Sequence, residues 1–376
     1  MKIIGRILLY IGLISGSLVF MLPLIWMLST ALKPIEQTMS MPPTWIPYQY
    51  RADLGQGNVG VKLGIAVEEP SYIAQVAGEE NRRIIPQRLV KDGMYKELER
   101  SEPVAVTILK EIPASAKDPW VRAVSDELPT DQAENAWTVI ARAGVTQVVK
   151  FRWTNFREAV KAMKEFPSYL WNTIYLCVMT VIGTVISSAM AAYGFARISW
   201  RGRNKVFLLA LATMMVPFPV IMVPIFCMFQ ALGWIGTFKP LWVGSFCAGA
   251  FNVFLLRQFF MTLPKDLSEA ARIDGCSEFR IFWQIILPLS KPALMVVGLF
   301  QFMATWNDYM GPLIYLTNQK DFTLALGLQF FQSQHGGTPF HYVMAASTLV
   351  LLPIIVLFFF TQKTFIEGIS MTGIKG

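Results

Sequence analysis

Long apolar stretches separated by short polar segments dominate the hydrophobic pattern of this chain. Six of these stretches carry few or no charged residues, and each approaches the ~20 residues with which a helix crosses a bilayer. They are Ile7–Leu28, Leu170–Phe195, Val206–Gln230, Pro240–Leu256, Ala293–Leu316 and Tyr342–Thr361, of which the fourth is the shortest. The pattern predicts an all-α polytopic membrane protein with six transmembrane helices. The composition, with 54% hydrophobic and 15% charged residues, favours the same class.

A long polar region separates the first apolar stretch from the second. Its short β-rich runs are broken by Gly and Pro, and one helical run, Asp92–Arg100, lies among them. The runs are Val59–Val67, Val104–Leu109, Trp137–Ala141 and Val145–Phe151. About 100 residues are enough to bury a separate core, so we expect a small α+β domain. The predicted organisation is a first span with its exit segment (1–47), an inserted domain (48–150) and a membrane core (151–376).

Lysine and arginine residues beside the apolar stretches predict the orientation. If both termini are cytoplasmic, thirteen of them lie on the inner side, and outside the long first loop only Lys33, Lys239 and Lys320 lie on the outer side. This places the insert outside the membrane. The region Tyr48–Pro167 holds 17 basic and 17 acidic residues, so the net charge of +8 comes from the remaining segments. We interpret that charge as a topology signal, and we predict no binding of nucleic acid.

Cysteine and histidine residues give no sign of a disulfide framework, a metal site or a catalytic site. The four cysteines, Cys177, Cys227, Cys247 and Cys276, lie in predicted spans or in a predicted cytoplasmic segment, and their spacing fits no metal site. The two histidines, His335 and His341, lie far from the insert. The first apolar stretch is longer than the usual ~7 to 15 residues of a signal peptide core, so we expect a retained anchor.

The segment Pro264–Pro288 is a polar island between two apolar stretches. Asp266 followed by Glu269 predicts a capping box at the start of a short helix. Gly275 permits the backbone turn that ends this helix, and Ser277 can cap a second helix that runs to Pro288. The segment is therefore expected to form a helix, a sharp turn and a helix.

The same segment resembles the EAA signature of bacterial ATP-binding-cassette importer permeases, with every spacing matched. The residues that this resemblance assigns to coupling with an ATPase are Glu269, Ala270, Ala271, Asp274, Gly275, Ile285, Leu287 and Pro288. Small side chains at Ala270 and Ala271 let another protein surface approach closely. The alternative is an ordinary amphipathic surface hairpin.

Ala191–Lys205 also resembles the general pattern of these permeases. Two further segments resemble their carbohydrate branch: Ser29–Pro34, and Gln362–Gly376, which resembles the tail of permeases of the maltose-transporter type. The resemblance implies a bacterial inner-membrane complex with two ATP-binding-cassette ATPase subunits, a second homologous permease and an extracytoplasmic solute-binding protein, surrounded by lipid. The chain has no G-x-x-x-x-G-K-[ST] sequence, so we expect ATP and Mg to bind the partner subunits and this chain to hold no cofactor and catalyse no reaction.

Two features of the apolar stretches suggest a solute pathway. Pro217, Pro219 and Pro224 predict a kinked third span. The fifth span holds the polar patch Trp306, Asn307, Asp308 and Tyr309, in which Asp308 is the only Asp, Glu, Lys or Arg of any predicted span. A carboxylate within a membrane faces a polar cavity or a partner group, so the patch either contacts a sugar or fixes the span to its neighbours. The segment Asn318–Phe340 is expected to be an outer loop.

The predicted function is that of a permease subunit in an ATP-driven carbohydrate importer. One alternative is an importer permease for a non-sugar solute. The others are an ion-driven transporter, against which a lone Asp308 argues, and a membrane scaffold or sensor built around the insert.

Overall fold

The structure is a computed structural model that describes residues 2–38, 43–54, 57–67, 70–77, 82–95, 104–112, 120–125, 138–333 and 339–370. The chain forms two compact units, Met1–Trp153 and Thr154–Gly376. Each unit is described by itself.

The first unit joins one long apolar helix to two small β-sheets. The helix is α1 (Lys2–Ala31), and the strands are β1 (Tyr48–Asp53), β2 (Asn58–Val67), β3 (Ser71–Val76), β4 (Arg82–Pro86), β5 (Val90–Lys91), β6 (Met94–Tyr95), β7 (Val104–Ile112), β8 (Trp120–Ser125), β9 (Thr138–Ala141) and β10 (Thr146–Val149). Short 3₁₀ turns cover Ile35–Gln37, Gln87–Leu89 and Arg142–Gly144.

Within the described residues, the strands pair antiparallel in two five-stranded sheets, in the orders β10-β1-β2-β8-β9 and β4-β3-β7-β6-β5. Each sheet buries a small apolar cluster. Ala52, Val61 and Ala123 form the first cluster, and Ala74, Val76 and Ile85 form the second. The four predicted β-rich runs are confirmed as strands, but the fourth is a strand only over Thr146–Val149, and Trp137 lies outside the described residues.

The prediction of a helix over Asp92–Arg100 is wrong for residues 92–95, the part of this run that the structure describes. Asp92 and Gly93 have positive φ angles of 54° and 76° and form the turn between β5 and β6. An Asp-Gly pair favours this two-residue hairpin turn, and the turn outweighs the helical propensity of the following residues. Residues 96–100 lie outside the described residues. Between Tyr48 and Lys150, the part that the structure describes is formed by strands and 3₁₀ turns rather than by the expected α+β mixture.

The chain leaving α1 is fixed by polar and aromatic contacts within the first unit. The Trp26 and Trp45 rings meet edge to face at 5.0 Å, and the Lys33 Nζ lies 3.9 Å from the centre of the Trp26 ring. Lys33 is fully buried, and this burial lowers the pKa of its amine. Gln37 donates a hydrogen bond to the Tyr48 carbonyl and accepts one from the Tyr48 N–H.

The second unit consists of helices. They are α2 (Thr154–Ala162), α3 (Phe166–Ala196), α4 (Arg203–Ala212), α5 (Phe218–Ala231), α6 (Lys239–Trp242), α7 (Ala250–Thr262), α8 (Asp266–Ile273), α9 (Glu278–Ile281), α10 (Leu287–Leu289), α11 (Lys291–Trp306), α12 (Met310–Tyr315), α13 (Leu324–Ser333) and α14 (Phe340–Ser370). A core cluster packs α3 against α7, α9 and α11 around residues such as Ala192, Leu256, Ile281 and Val297.

Four helical segments in the described residues are long and apolar enough to cross a membrane, and two bent helix pairs raise the number to six if each pair is one span. The four are Gly5–Ala31, Phe166–Ala196, Lys239–Thr262 and Phe340–Gln362. The pairs are Arg203–Met215 with Phe218–Ala231, bent by 97°, and Glu278–Leu289 with Lys291–Trp306, bent by 80°. The predicted kink of the third span is confirmed, because the helix breaks at Pro217.

The segment Lys239–Thr262 contains a break that α3 stabilises. A 3₁₀ turn, Val243–Cys247, ends at Ala248, which has a positive φ of 52°. The Ser187 hydroxyl donates to the Ser245 carbonyl at 3.0 Å and accepts from the Ala248 N–H at 3.1 Å. One turn before Ser187, Gly183 lets the Phe246 ring approach so closely that an added methyl group would lie 2.6 Å from it.

We predict opposite effects for two Gly→Ala substitutions on α3. Gly183→Ala places its methyl group against Phe246 and lowers the free energy of unfolding by about 1–3 kcal/mol. The methyl group of Gly194→Ala meets no described atom within 4 Å. Because alanine has the higher helix propensity, this substitution raises the free energy of unfolding by up to about 1 kcal/mol. Thermal unfolding of the purified chain in detergent compares the two variants. Equal midpoints for both would contradict the packing role of Gly183.

Candidate functional site

The predicted helix, turn and helix form in the segment Pro264–Pro288, which we call the coupling hairpin. Helix α8 runs from Asp266 to Ile273, and Gly275 turns the chain with a φ of +81°. The Ser277 hydroxyl accepts a hydrogen bond from the Arg280 N–H at 3.4 Å and caps α9, as the sequence predicts.

The predicted capping box does not form. Lys265 already has helical backbone angles, so Asp266 is the first residue inside α8 rather than its N-cap, and the described contacts include no side-chain cap there. A capping side chain needs an extended backbone at its own position, which Asp266 lacks. Asp266 and Glu269 still lie in the first turn of α8, where negative charge stabilises a helix N-terminus.

The two alanines of the hairpin differ in burial. Ala271 is buried against the core cluster, whereas Glu269 and Ala270 are exposed. Ile273, near the turn, is 87% exposed. The turn at Gly275 is open, since a side chain there would meet no described atom within 4 Å. One face of α8 therefore holds the hairpin on the helices, and its exposed residues include small and apolar side chains beside charged ones such as Glu269.

The second half of the hairpin also presents apolar side chains. Phe279 is 67% exposed and Trp283 is 57% exposed, and their rings stack at 6.3 Å. Leu267 and Ile273 on α8 of the same hairpin are exposed as well, and we call these four residues the outer apolar patch. Exposed large apolar side chains on a polar segment favour a site that another protein covers.

A polar chain connects the hairpin to α3. The Arg272 Nε donates to the Glu278 Oε1 at 2.6 Å, and the Tyr193 hydroxyl donates to the Glu278 Oε2 at 2.6 Å. The hydrogen bond to Glu278 raises the pKa of Arg272 above its ordinary value. Glu278 thus connects both halves of the hairpin to Tyr193 of α3, 85 residues earlier in the chain. No local sequence pattern predicts this contact.

Two arginines connect α3 and α7 where both helices end. The Arg197 guanidinium donates to the Leu263 carbonyl at 2.7 Å and to the Pro264 carbonyl at 3.4 Å. In return, the Arg257 Nε donates to the Phe195 carbonyl at 3.3 Å. Because Pro264 begins the hairpin, the arginines fix the position from which the hairpin starts.

The last residues of the hairpin form a π-turn. Phe282–Ile286 adopts a π-helix in which the Leu287 N–H bonds to the Phe282 carbonyl five residues earlier. Pro288 has no N–H to donate and its ring crowds the carbonyl four residues before it, which explains why the α-helical pattern is interrupted here. Ile285 and Leu287 pack on the core cluster, and Pro288 is exposed.

The polar patch 306–309 lies where a helix ends, rather than inside a continuous helix as the predicted span Ala293–Leu316 implied. Helix α11 ends at Trp306, and α12 begins at Met310. Trp306 is buried and donates its indole N–H to the Val350 carbonyl at 3.2 Å. Asn307 is exposed and donates to the Met303 carbonyl at 2.8 Å, and Tyr309 is also exposed.

Of these four residues, Asp308 lines a cavity of 240 Å³ in the described structure. Its Oδ1 accepts a hydrogen bond from the Gly311 N–H at 3.0 Å and so caps α12. Gln301 and Thr305 line the same cavity, with the Gln301 amide donating to the Thr305 hydroxyl at 3.1 Å. Sequence reasoning missed these two residues, although their spacing from Asp308, at i, i+4 and i+7, is that of one helix face.

Thr323 also lines this cavity and lies in the segment Asn318–Phe340. The expectation of a loop is wrong for much of that segment, because Leu324–Ser333 forms α13. The Thr173 hydroxyl of α3 accepts a hydrogen bond from the Leu324 N–H at 2.8 Å and so fixes the start of this helix. Polar residues flank this short apolar helix on both sides, and for that reason the whole segment resembles a loop in the sequence. Residues 334–338, including His335, lie outside the described residues.

Comparison with known sequences identifies similar transport proteins. The sequence profile of the family "Binding-protein-dependent transport system inner membrane component" matches residues 183–370. The arabinooligosaccharides transport system permease protein AraQ of Bacillus subtilis (strain 168) is 37% identical over 208 residues, which cover 55% of this chain and 73% of AraQ. The trehalose/maltose transport system permease protein MalG of Thermococcus litoralis is 35% identical over 213 residues, 56% of this chain and 76% of MalG.

Comparison with solved structures supports the fold. A chain of a bacterial ABC transporter involved in the import of the acidic polysaccharide alginate superposes with a TM-score of 0.53. The match covers 57% of this chain and 80% of that one, at 24% sequence identity.

We predict that the ion pair in the hairpin limits its local opening. Arg272→Gln removes the charge facing Glu278 and increases amide hydrogen exchange of α8 and α9 about two- to fivefold, a modest effect because both side chains are partly exposed. Arg280→Gln is the matched control, since Arg280 is an exposed arginine on the same hairpin that forms no described ion pair. Equal exchange in the two variants would show that the Arg272–Glu278 pair does not hold the hairpin.

Proposed function

The chain belongs to the family of binding-protein-dependent transport system inner membrane components, and we propose that it is the permease subunit of an ATP-driven carbohydrate importer. The observation that carries this proposal is the coupling hairpin, whose spacing, open turn and outer apolar patch fit a docking element. Relatives named for arabinooligosaccharide and trehalose/maltose transport favour a carbohydrate over another solute.

The occupant of the outer apolar patch, on this proposal, is an ATPase subunit. Ala270 lets the partner approach the backbone of α8, while Ile273, Phe279 and Trp283 supply apolar contact area around it. The partner subunits bind ATP and Mg, and this chain carries out no covalent chemistry. Its role is mechanical.

Motion of the hairpin would pass to the membrane helices through its polar connections. The Arg272–Glu278–Tyr193 chain ties the hairpin to α3, and Arg197 ties the start of the hairpin to the end of the same helix. A displacement of the hairpin therefore pulls on α3 at two separate points. Such a two-point connection transmits rotation as well as translation.

The cavity beside Asp308 is the proposed part of the solute pathway. Gln301, Thr305 and Asp308 offer an amide, a hydroxyl and a carboxylate, which are suited to the hydroxyl groups of a sugar. Asn307 and Tyr309 are exposed at the same break between helices and extend the polar surface. Trp306, by contrast, is engaged with Val350, so we assign it to helix packing.

The proposed topology has six spans, with both termini in the cytoplasm and the insert 48–150 outside the membrane. This arrangement follows the distribution of lysine and arginine and puts the hairpin on the same side as ATP. We divide the chain into the segments 1–47, 48–150 and 151–376. The proposed complex in the bacterial inner membrane contains two ATPase subunits, a second homologous permease and an extracytoplasmic solute-binding protein.

We predict that a residue unable to adopt the left-handed backbone of Gly275 prevents docking of the hairpin. A β-branched residue is strained at a φ of +81°, so Gly275→Val should abolish solute uptake and the co-purification of an ATPase in mild detergent. Gly275→Asn is the matched control, because asparagine tolerates left-handed backbone angles, and it should retain most uptake.

Purification of the wild-type chain from its native membrane identifies the partners. Recovery of a P-loop ATPase, a second permease and a solute-binding protein supports the importer, and the ligand on that binding protein names the solute. Normal uptake and ATPase recovery with Gly275→Val would contradict the docking role. Uptake that survives depletion of ATP would favour an ion-driven transporter instead.

We predict that Asp308 contributes to solute handling rather than to assembly. Asp308→Asn preserves the shape of the side chain but removes its charge, and it should lower uptake about tenfold or more, since a hydrogen bond to a charged group contributes about 1.5–3 kcal/mol. Asp321→Asn makes the same chemical change at a position that does not line the cavity. ATPase co-purification should be unchanged in both variants, and uptake equal to the wild type with Asp308→Asn would exclude this role.

A further inference from the structure

The hydrogen bonds around the Asp308 cavity fix the direction in which its hydroxyl groups donate. The Gln301 amide donates to the Thr305 hydroxyl at 3.1 Å, and the Thr305 hydroxyl lies 2.9 Å from the Thr180 hydroxyl of α3. The Thr180 hydroxyl donates to the Cys177 carbonyl of its own helix at 3.2 Å. Because a hydroxyl group has a single proton, Thr305 is the donor in its bond with Thr180.

This chain of hydrogen bonds leaves more acceptors than donors for a ligand. The proton of Thr305 is committed to Thr180, and one of the two amide N–H groups of Gln301 is committed to Thr305. The Gln301 carbonyl oxygen, a second lone pair of the Thr305 oxygen and the Asp308 carboxylate can still accept a hydrogen bond. Among the described lining side chains, the donors that remain are the second N–H of Gln301 and the Thr323 hydroxyl.

The Asp308 carboxylate is the one charged group among the described residues that line this cavity. The uncharged lining residues are Leu176, Leu241, Gln301, Ala304, Thr305, Pro312 and Thr323. The carboxylate is held by the N–H groups of Gly311 and Met310 and forms no ion pair with a described residue. Backbone groups at a helix N-terminus supply only about half a unit of positive charge, so the cavity keeps a negative potential.

The second carboxylate oxygen of Asp308 lies against another wall of the cavity. A methyl group added at Gly311 would lie 2.5 Å from the Asp308 Oδ2 and 3.1 Å from the Leu241 Cδ2. The Oδ2 is therefore close to Leu241, which lines the cavity opposite α11 in the sequence order of the unit. A side chain at position 311 would displace this oxygen, so the glycine keeps the negative charge where a ligand meets it.

We propose that the Asp308 cavity is a charge filter, which admits neutral or cationic saccharides and rejects anionic ones such as uronates and sugar phosphates. The proposal rests on the proposed role of this cavity in the solute pathway. A sugar hydroxyl both donates and accepts, and an ammonium group donates, so both match the lining. The oxygens of an anionic group only accept, and they would face the Asp308 carboxylate. Thr180 is a positioning residue, because it takes the proton of Thr305.

The test measures charge selection in the cavity with two reagents of known charge. Ala304 lines the cavity and is exposed, so Ala304→Cys introduces a reactive thiol there. The purified full-length chain in a neutral detergent is treated with cationic trimethylammonioethyl methanethiosulfonate or with anionic sulfonatoethyl methanethiosulfonate. Mass spectrometry of the peptide that contains position 304 gives each labelling rate and separates the new thiol from the native cysteines.

The ratio of the cationic to the anionic labelling rate reports the potential in the cavity. Adding Asp308→Asn to Ala304→Cys should lower this ratio at least about fivefold, because the carboxylate attracts one reagent and repels the other. Asp308→Glu retains the charge and should keep most of the ratio. Adding Asp321→Asn instead removes a carboxylate that does not line the cavity, and the ratio should stay within about twofold.

The charge filter is overturned if Asp308→Asn and Asp321→Asn change the ratio alike, or if Asp308→Glu lowers it as far as Asp308→Asn does. It is also overturned if neither reagent labels position 304, because the cavity is then closed to solutes. The labelling needs neither ATP nor a partner subunit. Charge selection in a chain that imports no sugar would therefore leave the filter in place and contradict the carbohydrate importer.

Discussion

The reciprocal hydrogen bonds of Arg197 and Arg257 fix the geometry on which the rest of the helical unit depends. The last carbonyls of any helix have no partner within that helix, and in apolar surroundings an unpaired carbonyl is destabilising. Each of α3 and α7 supplies an arginine to the carbonyls at the end of the other, so the two helices end at the same level. The guanidinium of Arg257 also lies 4.3 Å from the centre of the Phe207 ring, which joins α4 to the same assembly. The coupling hairpin then leaves from a defined position.

Polar side chains in the apolar segments gather at the points where helices are interrupted. The Ser187 hydroxyl pairs with backbone groups on both sides of the break at Ala248, and Asp308 caps the helix that follows the break after Trp306. Backbone groups freed at such breaks must find a partner inside the protein, because lipid offers none. Each polar residue therefore serves the backbone first. At Asp308, the side chain that satisfies the backbone also lines a cavity, which combines a structural and a chemical role in one carboxylate.

Much of the helical unit could be predicted from sequence because apolar stretches near bilayer length and special turn residues are local signals. Gly275 and Ser277 have the roles that their residue types indicate. Predictions failed where a non-local or competing effect decided the outcome. The backbone of Lys265 is already helical, so α8 begins before Asp266 can act as its N-cap. At Asp92, the preference of Asp-Gly for a hairpin turn outweighs the helical propensity of the residues that follow. The bond between Tyr193 and Glu278 joins residues 85 apart, a distance that no periodicity encodes.

The π-turn at Phe282–Ile286 makes the length of the hairpin matter as much as its composition. A π-turn accommodates one residue more than an α-helical turn, and each residue of an α-helix rotates the chain by about 100°. Loss of a single residue from this segment would rotate the residues before it relative to those after it and swing Phe279 away from the direction it now faces. Natural sequences that share this hairpin should thus accept exchanges of side chains between Phe282 and Ile286 far more readily than insertions or deletions there.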